Sequence, residues 1–360
     1  MKIRSHSGLC VLAMFLSIVL VSGSATAADW PDKDKPATVV IMYNAGGGTD
    51  VMTRAYTKAM EEALGTTVNA VNRPGAIGSL AADFVYAKPA DGYWWLGGSQ
   101  FGKSLRVMGM STLTPYSDWQ WFKMADGIQA FTVRADSPFQ TMEDFINAAK
   151  KDPGKVTMSN SGIGGIWHEG SEIMVKAAGI DTKQIPYKGG NPAVLAALQG
   201  EVDVAGSGLH EVIGHILSGK MRNLAIFTKE PIKLENGTVL RPITDVLPAL
   251  AAYAPFGSEY TLGVKRDTPP DVLEKIKKAF IAASNSTEIT DILTKQFYYK
   301  NVVTGEEADR LATLREAVTS WLFWDLKVEG VKVNPADLGI PRPEDFDKWW
   351  PPKGYKALMK

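Results

Sequence analysis

From Thr38 the chain reads "TVVIM", an unbroken apolar run, then "NAGGGTD", then the periodic stretch "DVMTRAYTKAMEEAL", which stops at Gly65. A short apolar run followed by a period near 3.6 predicts a buried strand, a turn and an amphipathic helix. The alternation continues through "TTVNAVNRPG", "SLAADFVYA" and "GYWWLGGS". A second series runs from "FTVRADSPF" through "TMEDFINAAKK", "GKVTMSNSGIGG", "WHEGSEIMVKAAG", "KQIPYKGG", "NPAVLAALQG" and "EVDVAGSG" to "MRNLAIF". Strands alternating with helices predict an α/β fold with largely parallel sheets. Asn191 is expected to cap the helix that has Pro192 at its first position. Thr268 is expected to cap "PPDVLEKIKKAF".

Near "AYAPFGSEYTLGV" the pattern returns to a strand and a helix, read as a return to the first domain. The expected division is residues 28–131 with 255–334 as domain 1 and residues 132–254 as domain 2. Residues 335–360 are proline-rich but aromatic, which predicts an extension packed on the body, not a linker.

The first residues stand apart. Lys2 and Arg4 precede an apolar stretch from Leu9 to Val21 and the small residues "ATA". That is the form of a secretory signal, residues 1–27, with an apolar core too short for a permanent span. Cys10, the one cysteine, leaves with it, so the mature chain is expected to have no disulfide and no thiol chemistry. The whole chain carries 39 basic and 39 acidic residues. Without Lys2 and Arg4 the balance is 37 against 39, a net charge of −2, which gives no footing for nucleic acid. An exported chain of this kind points to a periplasm.

Three glycines between a strand and a helix suit close backbone approach, and a helix start offers unpaired N–H groups and partial positive charge. Together they make an anion cradle. The device recurs as "SNSGIGG" before the helix beginning near Trp167, so two glycine turns are expected to face one anion across a cleft. Gly47 and Gly164 are expected to need close approach or positive φ. Enzyme motifs fare worse. "HEVIGH" (His210 to His215) spaces its histidines five apart, which rotates the second ring about 140° from the first, so it reads as polar residues on a surface helix and not as a zinc site. Neither glycine turn completes a dinucleotide or P-loop fingerprint, and no serine lies in a nucleophile elbow. A Ser161–His168 pair is the remaining hydrolase alternative. No catalytic residue, metal or cofactor is expected.

The segments "NAGGGTDVMTR", "VNRPGAIGS", "KPADGYWWL", "SPFQTMEDF", "SGIGGIWHEGSE", "IPYKGGNPAVLAALQGEVDV" and "DTPPDVLEKI" together, in this order, resemble the Bug-type substrate-binding proteins of tripartite tricarboxylate transporters. The likeness runs from about Val39 to the helix around Trp321. It implies a two-domain periplasmic binding protein of the Venus-flytrap type, with an organic acid in the cleft and membrane permease subunits as partners. A monomer is expected. A sensory receptor feeding a membrane kinase would use the same cleft. The resemblance places ligand contacts at Tyr43, Asn44, Ala45, Gly46, Gly47, Gly48, Thr49 and Asp50, and at Ser159, Asn160, Ser161, Gly162, Ile163, Gly164 and Gly165. Further wall residues are Ser99, Gln100, Tyr187, Gly189, Asp203 and Ser207. Two departures stand out: Met42 where the family usually has proline, and Gly165 where it usually has a hydroxyl residue after the second loop's last glycine.

Overall fold

The computed structural model describes residues 30–99 and 103–359; the expected signal segment with Cys10, and Gln100, lie outside the described residues. In chain order the first unit contains β1 (Ala37–Ile41), α1 (Gly48–Leu64), β2 (Val68–Asn72), α2 (Ser79–Tyr86), β3 (Trp94–Ser99), α3 (Pro115–Asp118) and β4 (Trp119–Asp126). The second holds β5 (Gln129–Arg134), α4 (Met142–Lys151), β6 (Thr157–Asn160), α5 (Ile166–Ala178), β7 (Lys183–Pro186), α6 (Gly190–Gln199), β8 (Val204–Gly208), α7 (Leu209–Leu217) and β9 (Met221–Ile226). A small hairpin, β10 (Ile232–Lys233) and β11 (Val239–Leu240), follows. The chain then returns with β12 (Glu259–Lys265), α8 (Pro270–Ser284), α9 (Thr287–Lys295), β13 (Tyr299–Val303), α10 (Gly305–Asp325) and α11 (Phe346–Trp349).

Two sheets organise these elements, ordered β13-β4-β12-β3-β1-β2 and β7-β6-β8-β5-β9. In the first, β1 pairs in parallel with β2 and β3, while β12 opposes β3 and β4 and β13 opposes β4, so four strands of six point one way. In the second, β6 pairs in parallel with β7 and β8 and only β5 runs against its neighbours, so four of five share a direction. This is the two-domain α/β fold, with helices on the sheet faces. The expected cut between residues 131 and 132 falls inside β5; the chain changes sheet at residues 127–128, before that strand begins.

Each lobe has its own core. Tyr56 of α1 stacks on Phe280 of α8 at 5.3 Å, both fully buried over the first sheet. Phe131, Phe145 and Phe227 fill the second. The two crossovers run side by side: Gly127 N–H donates to Ser258 O at 2.7 Å and Gln129 N–H to Phe256 O at 2.9 Å. A Cβ on Gly257 would lie 2.0 Å from Gly127 O, so only glycine permits this approach.

Two expected caps are corrected. α6 starts at Gly190 with Gly189 as its cap, so Asn191 lies inside the first turn. The α8 cap position is Pro269, one residue after Thr268, because Pro270 already takes the first helical place. Beyond Asn334 the chain lies along α10 and the first lobe. Trp321 Nε1 donates to Pro341 O at 2.9 Å, Arg106 Nη2 to Leu338 O at 2.9 Å, and Tyr355 Oη to Asp309 Oδ2 at 2.9 Å. Among the described residues no helix is long and apolar enough to cross a membrane.

Candidate functional site

The two lobes meet where the first turns of α1, α5, α6 and α7 converge. Tyr43, Asn44, Gly47, Gly48, Thr49, Ser99 and Ser161 line the space there, with Gly189 and Gly190. Ile166, Trp167, Pro192, Glu211, Ser258 and Tyr260 complete it. The cavity measures about 20 Å³, room for about one water. No lysine or arginine is among these residues.

At its centre is a carboxyl group of the chain itself. Glu211 is the third residue of α7, and its Oε2 accepts the Gly208 N–H at 2.8 Å. The N–H of Gly48, at the start of α1 in the other lobe, and the Trp167 indole N–H lie near enough to pull its pKa down. The side chain is 4 % exposed. Burial pushes its pKa up to about 7, although those three donors pull the other way. His210 beside it is held down to about 3 by burial, and its Nε2 bonds the Tyr260 hydroxyl across the lobes at 3.1 Å. The reading of "HEVIGH" as surface polar residues is therefore corrected for His210 and Glu211. The helix is amphipathic, but these two residues face the other lobe, which the sequence pattern does not show.

The three glycines of the first turn have separate reasons. Gly46 adopts φ +83°. Gly47 caps α1 with φ −80°, so the expected positive φ is absent there, and a Cβ would meet nothing closer than 3.7 Å. Gly48 is the close approach: a Cβ would fall 2.0 Å from His210 Nε2 and 2.5 Å from Tyr260 Oη. Ala45 and Gly46 are exposed at the rim. Asp50 turns inward as a brace and not toward the cavity, accepting from Gly46 N–H at 3.0 Å, Asn72 Nδ2 at 2.8 Å and Arg54 Nε at 2.8 Å. Burial would raise its pKa, yet these donors hold it below the usual carboxylate value.

The second turn is spent differently. Asn160 Oδ1 accepts the Gly162 N–H at 2.9 Å, Gly162 O accepts the Gly165 N–H at 2.8 Å, and His168 Nδ1 receives the Gly164 N–H at 3.3 Å. Gly164 O accepts the Ser104 hydroxyl of the first lobe at 2.8 Å. These N–H groups close the turn and seal the lobes, so they do not reach an anion as expected. Ser159 is buried with its hydroxyl on Ala193 O at 2.8 Å, and Ile163 packs against the apolar cluster that contains Val107 and Phe323. Ser161 Oγ is buried without a hydrogen bond, and His168 is engaged by Gly164, so the hydrolase pair is not assembled.

Of the outer wall residues, Ser99 and Gly189 line the cavity. Ser207 is fully buried at the end of β8, its hydroxyl unbonded, but outside the cavity lining. Tyr187 is directed to Glu201 Oε2 at 3.2 Å, away from the cleft. Asp203 precedes β8 at the sheet's opposite end, where it accepts from Thr157 N–H at 2.8 Å and Oγ1 at 2.7 Å. Sequence reasoning missed Glu211, Trp167, Ser258 and Tyr260. The start of α6 was visible as "GGNP", and it does reach the cavity through Gly190 and Pro192.

Around the cavity the lobes are tied together. Lys103 and Glu169, 3 % and 2 % exposed, pair at 2.8 Å, and Thr319 Oγ1 of α10 donates to Glu169 Oε1 at 3.0 Å. No cluster of three metal-ligating side chains occurs among the described residues.

Comparison with known proteins places this architecture. The family model described as "TctC: Tripartite tricarboxylate transporter family receptor" matches residues 52–314. BugT of Bordetella pertussis is 27 % identical over 232 residues, 62 % of this chain and 69 % of that protein. The solved periplasmic binding protein BugD aligns with a TM-score of 0.70 at 24 % identity, over 82 % of this chain and 98 % of BugD. A Rhodopseudomonas palustris protein solved with adipate aligns with a TM-score of 0.72 at 23 % identity, over 83 % and 99 %. The chain belongs to the tripartite tricarboxylate transporter receptor family, periplasmic solute-binding proteins and not enzymes.

Proposed function

We propose that the mature chain, beginning at Ala28, captures a small organic acid between its two lobes in the periplasm and delivers it to the permease subunits of a tripartite tricarboxylate-type transporter. One observation carries the reading: helix starts from both lobes already converge on a buried carboxyl group at the centre of the cleft. Oriented N–H donors at helix starts suit the oxygens of an acid group. The adipate in the related Rhodopseudomonas structure accords with this class. The lobes, residues up to 126 with 259 onward and residues 129–226, turn about the paired crossovers, and ligand shifts the population toward closure.

The test is denaturing mass spectrometry of protein purified from a periplasm, followed by calorimetric titration with a panel of mono- and dicarboxylic acids and their methyl esters. A stoichiometric acid that binds at least tenfold more tightly than its ester is the expected result. Equal affinity for acid and ester would refute the class.

A further inference from the structure

The chain's own carboxyl fills the place an incoming acid needs. Glu211 at the third position of α7 has an ordinary local role, since it closes the helix start by accepting the Gly208 N–H at 2.8 Å. A cap of that kind needs nothing from the rest of the protein. Here the carboxyl reaches further: it lies against the α1 start of the opposite lobe, where a Cβ on Gly47 would be 3.8 Å from its Oε1, and the Gly48 N–H and Trp167 indole N–H both favour its charged form. The start of α6 also makes room for it: a Cβ on Gly190 would lie 2.0 and 2.1 Å from its two oxygens. One carboxyl thus joins both lobes, which is the act expected of a bound ligand.

We propose that Glu211 is a resident ligand: it occupies the anion position between the lobes, so the protein closes on itself without solute, and an external acid binds only by expelling it. This rests on the reading of the cleft as an organic-acid site. The space left beside the carboxyl, about 20 Å³, is too small for even a two-carbon acid. The groups facing Glu211 supply no compensating charge: His210 is neutral at Nε2 3.8 Å from Oε1, and Tyr43, Tyr260 and Tyr298 stay protonated through burial. Two carboxylates in this pocket would repel with no cation between them and would contend for the same donors. One must leave. Because Gly48 belongs to the other lobe, opening removes a donor from Glu211 and frees the side chain to turn into solvent. The cost of that expulsion lowers affinity for every acid and raises selectivity for acids that replace all of its contacts.

Chemical complementation tests this. Glu211→Ala deletes the equivalent of one acetic acid from the cradle. Wild type and variant are titrated with sodium acetate at fixed ionic strength on both sides of pH 7, read by calorimetry and small-angle scattering. The expected result is a larger radius of gyration for the variant, acetate binding at least tenfold tighter than to wild type, and compaction by acetate that weakens as pH rises through about 7, as closure by Glu211 itself does. Glu211→Ser, which keeps a small polar side chain in the helix start, carries the same titration if the alanine variant does not melt cooperatively. Folded variants that bind acetate no better than wild type would overturn the proposal. The larger acids of the calorimetric panel read the function separately. If acetate complements the variant while neither protein binds any acid of the panel, the resident ligand stands and the organic-acid function falls.

Discussion

The two glycine turns look alike in sequence and work differently in the fold. "NAGGGTD" and "SNSGIGG" each join a strand to a helix start, yet only the first brings a backbone N–H near the carboxyl at the centre of the cleft. The second uses the N–H groups of Gly162, Gly164 and Gly165 inside its own loop and offers Gly164 O to Ser104 of the other lobe. A glycine turn before a helix is therefore a licence for close approach. What approaches is decided by the neighbouring elements, here α7 in one case and the Ser104 segment in the other.

The largest effect should come from breaking the first turn where it touches the opposite lobe. Gly48→Val puts carbon onto His210 and Tyr260, with no flexible side-chain end to yield, so closure and acid binding should weaken by roughly a hundredfold, about 2.7 kcal/mol. Gly47→Ala makes only ordinary van der Waals contacts, at 3.7 and 3.8 Å, and should bind within about threefold of wild type. Calorimetric titration of both variants checks the pair; equal losses would mean that the turn acts through general loop geometry.

Next comes the seal on the other side of the cleft. Glu169→Ala leaves Lys103 buried without its 2.8 Å partner, with only the field of Glu259 remaining, and removing one partner of a buried pair costs about 3 kcal/mol. A drop of that size in urea-unfolding free energy is expected, with scattering that reports a more open molecule. An unchanged radius would show that the remaining contacts between the lobes, Ser104 with Gly164 and Tyr260 with His210 among them, hold them together.

The smallest effects belong to residues the sequence placed in the wall and the fold removes from it. Asp203→Ala and Tyr187→Phe should leave acid affinity within about twofold, because Asp203 braces Thr157 and Tyr187 meets Glu201. A larger loss in the same titration would return them to the site.

Much of this fold is legible in the chain because strands such as "TVVIM" and helices such as "PDVLEKIKKAF" are local patterns with one buried face. The first turn, Ser99, Ser161 and Gly189 are legible because a strand end followed by a helix start fixes where they lie. Asp203 was misplaced by five residues of strand: β8 carries the chain from one end of the sheet to the other, so Asp203 and Gly208 lie at opposite ends. Glu211 was invisible for a different reason. Nothing within α7 says that Gly48, from a segment 160 residues away, will come to meet its carboxyl; only the packing of one lobe on the other decides that.

The most direct measurement is the titration of the Glu211 side chain by carbon-13 NMR, assigned with Glu211→Gln. His210 stays neutral and the facing tyrosines stay protonated across the acid range, so among these groups Glu211 alone changes charge between its ordinary 4.5 and its buried value of about 7. A carboxyl that binds its proton more tightly when closed in makes closure strongest below pH 4.5 and weakens it as pH rises through about 7. A midpoint near 7, with the molecule loosening across the same window, is the predicted result. A midpoint near 4.5 with no change in size would place Glu211 in solvent and contradict the account.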